Sequence, residues 1–191
     1  MTSRTLVSVG VVVAAVGVAG GLWVLRGAQR RPPIRTAPPS LGLFAQMMPT
    51  LTSPRCMNCH TSTGFPRQGD DRRPHIMLVV RGPYGQGATA LPCGTCHGAS
   101  NGQNGVPGAP GWSLAPLSMA WEGKSTGDLC RVILAPQNGQ TARTIVAHIQ
   151  TPLVHWAWSP GVDLDGKQRS PPPLSRSQFL ALVQAWADSG A

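Results

Sequence analysis

Two copies of one pentapeptide, CMNCH at residues 56–60 and CGTCH at 93–97, hold four of the five cysteines and two of the five histidines of this chain. In C-x-x-C-H the two thiols can add across the two vinyl groups of a haem. The histidine that follows is then held beneath the iron as an axial ligand. Both spacing and order are chemical requirements, because two intervening residues span the porphyrin edge and a short tether brings the imidazole to the metal. Cys56, Cys59 and His60 form the first set; Cys93, Cys96 and His97 form the second. Two other chemistries use paired cysteines. A zinc ribbon places its pairs about 15–20 residues apart, whereas 33 residues lie between Cys59 and Cys93, and it needs no histidine after each pair. A disulfide framework would leave one cysteine over, and a bridge across two residues belongs to redox sites. The doubled motif therefore implies two covalently bound c-type haems as cofactors.

His97 follows His60 by only 37 positions, too few for a complete mono-haem domain before the second motif. Both haems are expected to share one core, with the cofactors supplying apolar volume and cross-links that a small chain lacks. With 23 glycines, 19 prolines and only 12% charged residues, the chain is expected to be loop-rich without the high charge that keeps chains disordered. The fold class this predicts is mainly α with long loops, a di-haem cytochrome c-like domain behind an N-terminal transmembrane helix.

That helix is expected in residues 5–25, TLVSVGVVVAAVGVAGGLWVL, which carry no charge and are bracketed by Arg4 and Arg26. Such a run is long enough for a hydrocarbon core of roughly 30 Å, and it exceeds the apolar stretch of a cleaved signal peptide. Residues 1–26 are read as a membrane anchor or signal-anchor, 27–40 (GAQRRPPIRTAPPS) as an extended Pro/Arg-rich linker, and 41–191 as the haem domain. The net charge of +9 does not point to nucleic acid. Five arginines lie in the first 35 residues, and from residue 36 onward 11 basic side chains face 7 acidic ones with no basic run. The positive-inside rule would put the domain in the cytoplasm. Bacterial haem attachment takes place on the outer side of the cytoplasmic membrane, and large domains translocate largely regardless of flanking charge. The expected location is the bacterial inner membrane, with the haem domain in the periplasm.

Helices are expected at 41–48, from Thr126 and Asp128 onward, from Thr141 through TIVAHIQ, and after a Ser175/Gln178 capping box. In the last, Phe179, Leu182, Val183 and Trp186 share one face and Gly190 is the stop. The stretches RGPYGQG at 81–87 and NGVPGAPGW at 104–112 read as turns and loops.

The sixth iron ligands are open on the residues alone. His75 follows a proline in GDDRRPHIM; His148 sits on a helix three residues after Ile145; His155 lies beside Trp156 and Trp158. Met119, 22 residues beyond His97, is the best thioether alternative. Each also has an ordinary reading: a solvated loop histidine, a satisfied core histidine, a surface residue near a haem edge, or a gap-filling methionine. Met57 lies inside its own attachment loop, Met77 would serve only in place of His75, and Cys130 reads as a small buried apolar residue.

These features resemble a family of small di-haem c-type cytochromes that bear the name isoquinoline 1-oxidoreductase subunit. The resemblance spans nearly all of residues 55–190. It includes CMNCH, QGDD at 68–71 followed by His75, RG at 81–82, the second motif, PGAPGW at 107–112, Met119, EG at 122–123, LC at 129–130, His148, W-x-W-x-PG at 156–161 and the closing F-to-W helix. It implies His75 and His148 as sixth ligands, because both match histidine positions of the family while His155 falls on an apolar one. The chain departs from the pattern at Ser113, where the family has histidine, and in lacking a terminal cysteine. The name implies association with molybdenum hydroxylases. No molybdopterin- or flavin-binding signature occurs in this chain, so no hydroxylase activity is carried over.

The expected function is electron transfer between a dehydrogenase, such as a molybdenum hydroxylase, and the respiratory chain through another cytochrome or an oxidase. The chain would be a carrier and not an enzyme. The alternative is a haem enzyme such as a small peroxidase, which needs one iron with an open sixth position. A haem-based sensor would need an output domain that this length does not contain.

Overall fold

The computed structural model describes residues 39–163 and 165–191. Four helices build a core. α1 (Pro39–Leu51) packs on α6 (Arg176–Asp188) and α3 (Thr126–Ile133), and α4 (Ala142–Ile149) packs on α6. Two one-turn helices complete the set, α2 (Pro54–Met57) and α5 (Pro152–His155).

Local sequence explains where these helices start. Ser175 Oγ accepts from the Gln178 N–H and Gln178 Oε1 accepts from the Ser175 N–H, closing the expected capping box of α6. Thr141 and Thr144 close a second box ahead of α4. α3 begins at Thr126 as expected, and the Ser125 hydroxyl caps it by accepting from the Asp128 N–H. Gly190, with φ of +82°, ends α6 in the left-handed region that a residue with a Cβ avoids.

Inside, Phe44, Met47 and Leu51 of α1 meet Leu129 and Ile133 of α3, Ile145 and Ile149 of α4, and Phe179, Val183 and Trp186 of α6. Phe44 and Trp186 have ring centroids 5.4 Å apart. Removing a buried aromatic of this kind costs about 3–5 kcal/mol. Met57 and Trp121 complete the cluster. Met57 is a variable residue of the first motif, so burial of its side chain fixes CMNCH to the helical core.

The long stretch between Asn58 and Lys124 contains no α-helix. Its turns are tight: at Gly82, with φ of +65°, a Cβ would collide with the Gly87 carbonyl. Two short antiparallel hairpins form here. β1 (Arg67–Gln68) pairs with β2 (Arg73–Pro74), and β3 (Gly87–Ala88) pairs with β4 (Leu91–Pro92). Three-residue 3-10 turns occupy Ile76–Leu78, Cys93–Thr95 and Leu117–Met119 here, and Pro136–Asn138 and Trp156–Trp158 further on.

This architecture corrects the expected fold class. The chain is a mixed helical protein whose longest described helices have 13 residues, with hairpins and 3-10 turns in place of plain loops. Among the described residues no helix is long and apolar enough to cross a membrane. The transmembrane helix expected at residues 5–25 lies outside the described residues.

A candidate two-histidine cleft and its neighbouring CxxCH turn

Each hairpin delivers a site residue at the end of its second strand. β2 closes at Pro74 and the next residue is His75, whose N–H donates to the Pro66 carbonyl at 3.0 Å. β4 closes at Pro92 and the next residue is Cys93, whose N–H donates to the Gln86 carbonyl at 2.8 Å. Backbone pairing therefore fixes where His75 and the second motif begin.

The two motif histidines are held alike. His60 Nδ1 donates to the Met119 carbonyl at 2.9 Å, and His97 Nδ1 donates to the Pro107 carbonyl at 2.7 Å. Each ring also stacks on a tryptophan: His60 on Trp121 at 3.5 Å between centroids and 15° between planes, His97 on Trp112 at 4.5 Å and 9°. With Nδ1 committed to a carbonyl, an imidazole presents Nε2 as the electron-pair donor, the arrangement that orients metal-binding histidines. Burial, only partly offset by the carbonyl bond, pushes the His60 pKa down to about 4, so the ring is neutral at physiological pH.

His75 lies 5.9 Å from His97 between ring centroids, with planes inclined by 68°. Both line a cleft of about 260 Å³ that also receives Cys93 and Cys96 from the second motif and Cys59 from the first. Ile76, Val79, Leu91, Val106, Leu114 and Trp112 make much of this wall apolar. Both motifs thus border one cleft, but only the first is built into the helical core; Gly94 and Cys96 of the second are exposed.

All five cysteines are unbridged thiols. Burial pushes Cys56 up to about 12 and Cys59 up to about 11, opposite to the lowered thiol pKa of a redox-active C-x-x-C pair. Among the described residues no group of three or more His, Cys, Asp or Glu side chains converges as a metal cluster would.

The other expected ligands are scattered. His148 lies on α4, on the exposed side of the helix, yet partial burial by the surrounding protein lowers its pKa. Met119 meets His60 through its carbonyl, and its side chain packs against the helical core. His155, at the end of α5, has a buried Nε2 without a partner. Met77 is 77% exposed, with φ of +64°, on the rim of the cleft. Cys130 is partly buried against the core.

Several residues that hold the site had no role assigned from the sequence, although Asn58, Arg81 and Glu122 fall in its quoted motifs. Arg81, buried, donates to the carbonyls of Thr61, Thr63 and Ala115, tying the loop after the first motif to the segment after Trp112. Arg72 donates to the Met57 carbonyl at 3.2 Å and pairs with Glu122 at 2.7 Å, while Glu122 accepts from the Ser62 N–H at 2.7 Å. Asn58, inside the first motif, donates to the Gly69 carbonyl at 2.9 Å. The tryptophans inside PGAPGW and AWEG were the available signal for the stacking partners.

No protein-family model, curated protein or solved structure matches the chain.

Proposed function

We propose that this protein is a di-haem c-type electron carrier. The observation that carries the reading is the matched posture of His60 and His97: Nδ1 on a backbone carbonyl, one face on a tryptophan, and the adjacent cysteines unbridged. Those features suit the proximal ligand of a covalently attached haem, with Cys56 and Cys59 holding one porphyrin and Cys93 and Cys96 the other. The haems supply one-electron chemistry. The chain contributes axial ligation, an apolar wall and exclusion of water, which together set the potential of each iron.

His75 is the residue that would complete the iron site of the second motif, since its ring lines the same cleft as His97 with Nδ1 on a carbonyl and Nε2 free to bind a metal. His148 is the ligand proposed for the iron of the first motif, because it matches the second histidine position of the family that the motifs resemble. Met119 serves through its backbone as the positioning group of His60. Covalent haem attachment implies export, so the domain would work in the periplasm between a dehydrogenase and another cytochrome or an oxidase. Its likeness to isoquinoline 1-oxidoreductase subunits supports a molybdenum hydroxylase as the donor.

Optical and EPR spectra of the purified full chain in both oxidation states test the carrier role. Two six-coordinate low-spin haems with two reversible one-electron steps are expected. A high-spin iron that reacts with hydrogen peroxide would instead indicate a peroxidase.

A further inference from the structure

Arg55 and Arg169 both lie over Trp156, with guanidinium carbons 4.5 and 5.7 Å from the ring centroid, on the wall of the cleft that holds His75, Cys93, Cys96 and His97. Arg55 is 7% exposed. Its Nε donates to the Ala157 carbonyl at 2.7 Å and its Nη2 to the carbonyls of Trp156 and Ser159, while Nη1 is buried with no partner. Arg169 donates one N–H to the Gly105 carbonyl at 2.9 Å.

Neither guanidinium takes part in an ion pair among the described residues. Asp70 and Asp163 line the same cleft and offset part of this charge through space, Asp70 on both arginines and Asp163 on Arg169, but neither reaches ion-pair distance. Asp70 Oδ2 accepts from the N–H and hydroxyl of Ser170 at 3.0 and 2.6 Å, and Asp163 Oδ1 accepts from the N–H groups of Asp165 and Lys167 at 3.0 and 2.9 Å. Two like charges on one aromatic ring, one of them buried with a spare donor, are costly unless an anion joins them. Planar guanidinium forks recognise carboxylates in particular.

We propose that Arg55 and Arg169 form a carboxylate site that receives a propionate of the haem attached through Cys93 and Cys96. This rests on the covalent-haem reading. The porphyrin's propionates lie on the edge remote from its thioethers. Arg55 directly precedes Cys56, which puts it at the thioether edge of the first haem, so the carboxylate comes from the second. By bringing two positive charges to that propionate, the pair favours the reduced, less positive iron and separates the potentials of the two haems.

The test is a potentiometric titration of the full-length haem protein with Arg169→Gln. Arg169→Gln is expected to keep two covalent haems and to lower the midpoint of one, leaving the other in place. In a Cys93→Ala/Cys96→Ala background it is expected to move nothing, because the responding haem is gone. Unchanged midpoints, an equal fall in both, or a shift that persists in that background would overturn the proposal. So would a saturable midpoint shift on adding phosphate at constant ionic strength, seen in the wild type and lost in Arg169→Gln, since the pair would then bind a free anion. A chain that carries no covalent haem would remove the carrier reading itself, and the propionate assignment with it.

Discussion

His75 and His97 reach the same cleft from two hairpins separate in sequence, and their rings sit 5.9 Å apart with each Nδ1 bonded to a backbone carbonyl, Ile76 at 2.6 Å and Pro107 at 2.7 Å. Both Nε2 atoms are thereby left as the donors available to a metal.

Replacing His75 with alanine is therefore expected to open one iron to carbon monoxide while the other stays low-spin. Optical difference spectra of the reduced variant would report one carbon monoxide per chain, against none for the wild type. His148→Ala is expected to open the other iron, and the double variant both.

Met119→Leu is expected to change little, because the atom that meets His60 is the Met119 carbonyl, which any residue supplies. The oxidised protein should lack the weak far-red band of an iron–methionine bond. A far-red band that disappears in Met119→Leu would give the sixth position to the thioether and return His148 to an ordinary helical role.

Gly108 follows the carbonyl that holds His97, and a Cβ there would run into the carbonyls of Ser100 and Gly98. Gly108→Ala is expected to push Pro107 aside and loosen His97. EPR would show a changed low-spin signal for one haem, with thermal stability down by about 1–3 kcal/mol.

Glu122 ties the loops around the first motif together. Burial raises its carboxyl pKa, but the nearby Thr61 side chain and hydrogen bonds from the Ser62 N–H and Arg72 outweigh that, and the net shift is downward. A carboxyl whose pKa is lower in the folded state stabilises the fold above its unfolded value and loses that contribution as pH falls through the folded value. Glu122→Gln is expected to cost about 1 kcal/mol at neutral pH. Denaturant titrations should show this gap closing as the pH falls below the ordinary glutamate range.

What the sequence made legible was mostly local. The Ser175/Gln178 box and the Phe179, Val183 and Trp186 face of α6 depend on residues three and four apart, and they formed as expected. The two pentapeptides fall on short turns whose backbone bonds close within the motif, His60 N–H to Cys56 carbonyl and His97 N–H to Cys93 carbonyl. The hairpins that deliver His75 and Cys93 were not legible, because strands of two residues show no alternating pattern. Nor were the partners of Arg55 and Arg81, which are remote in the chain; Arg55 reaches the carbonyl of Ala157. Met57 enters the helical core, whereas the second motif sits in the loop layer, and cysteines of both motifs line the one cleft.

The central claim is that each pentapeptide carries its own covalent haem, and counting haem on the denatured, acid-extracted chain tests it most directly. Intact mass and the pyridine haemochrome spectrum are expected to give two haems for the wild type, one for Cys56→Ala/Cys59→Ala and one for Cys93→Ala/Cys96→Ala. A wild-type chain that releases all its haem on extraction, or a double variant that still retains two, would contradict the account.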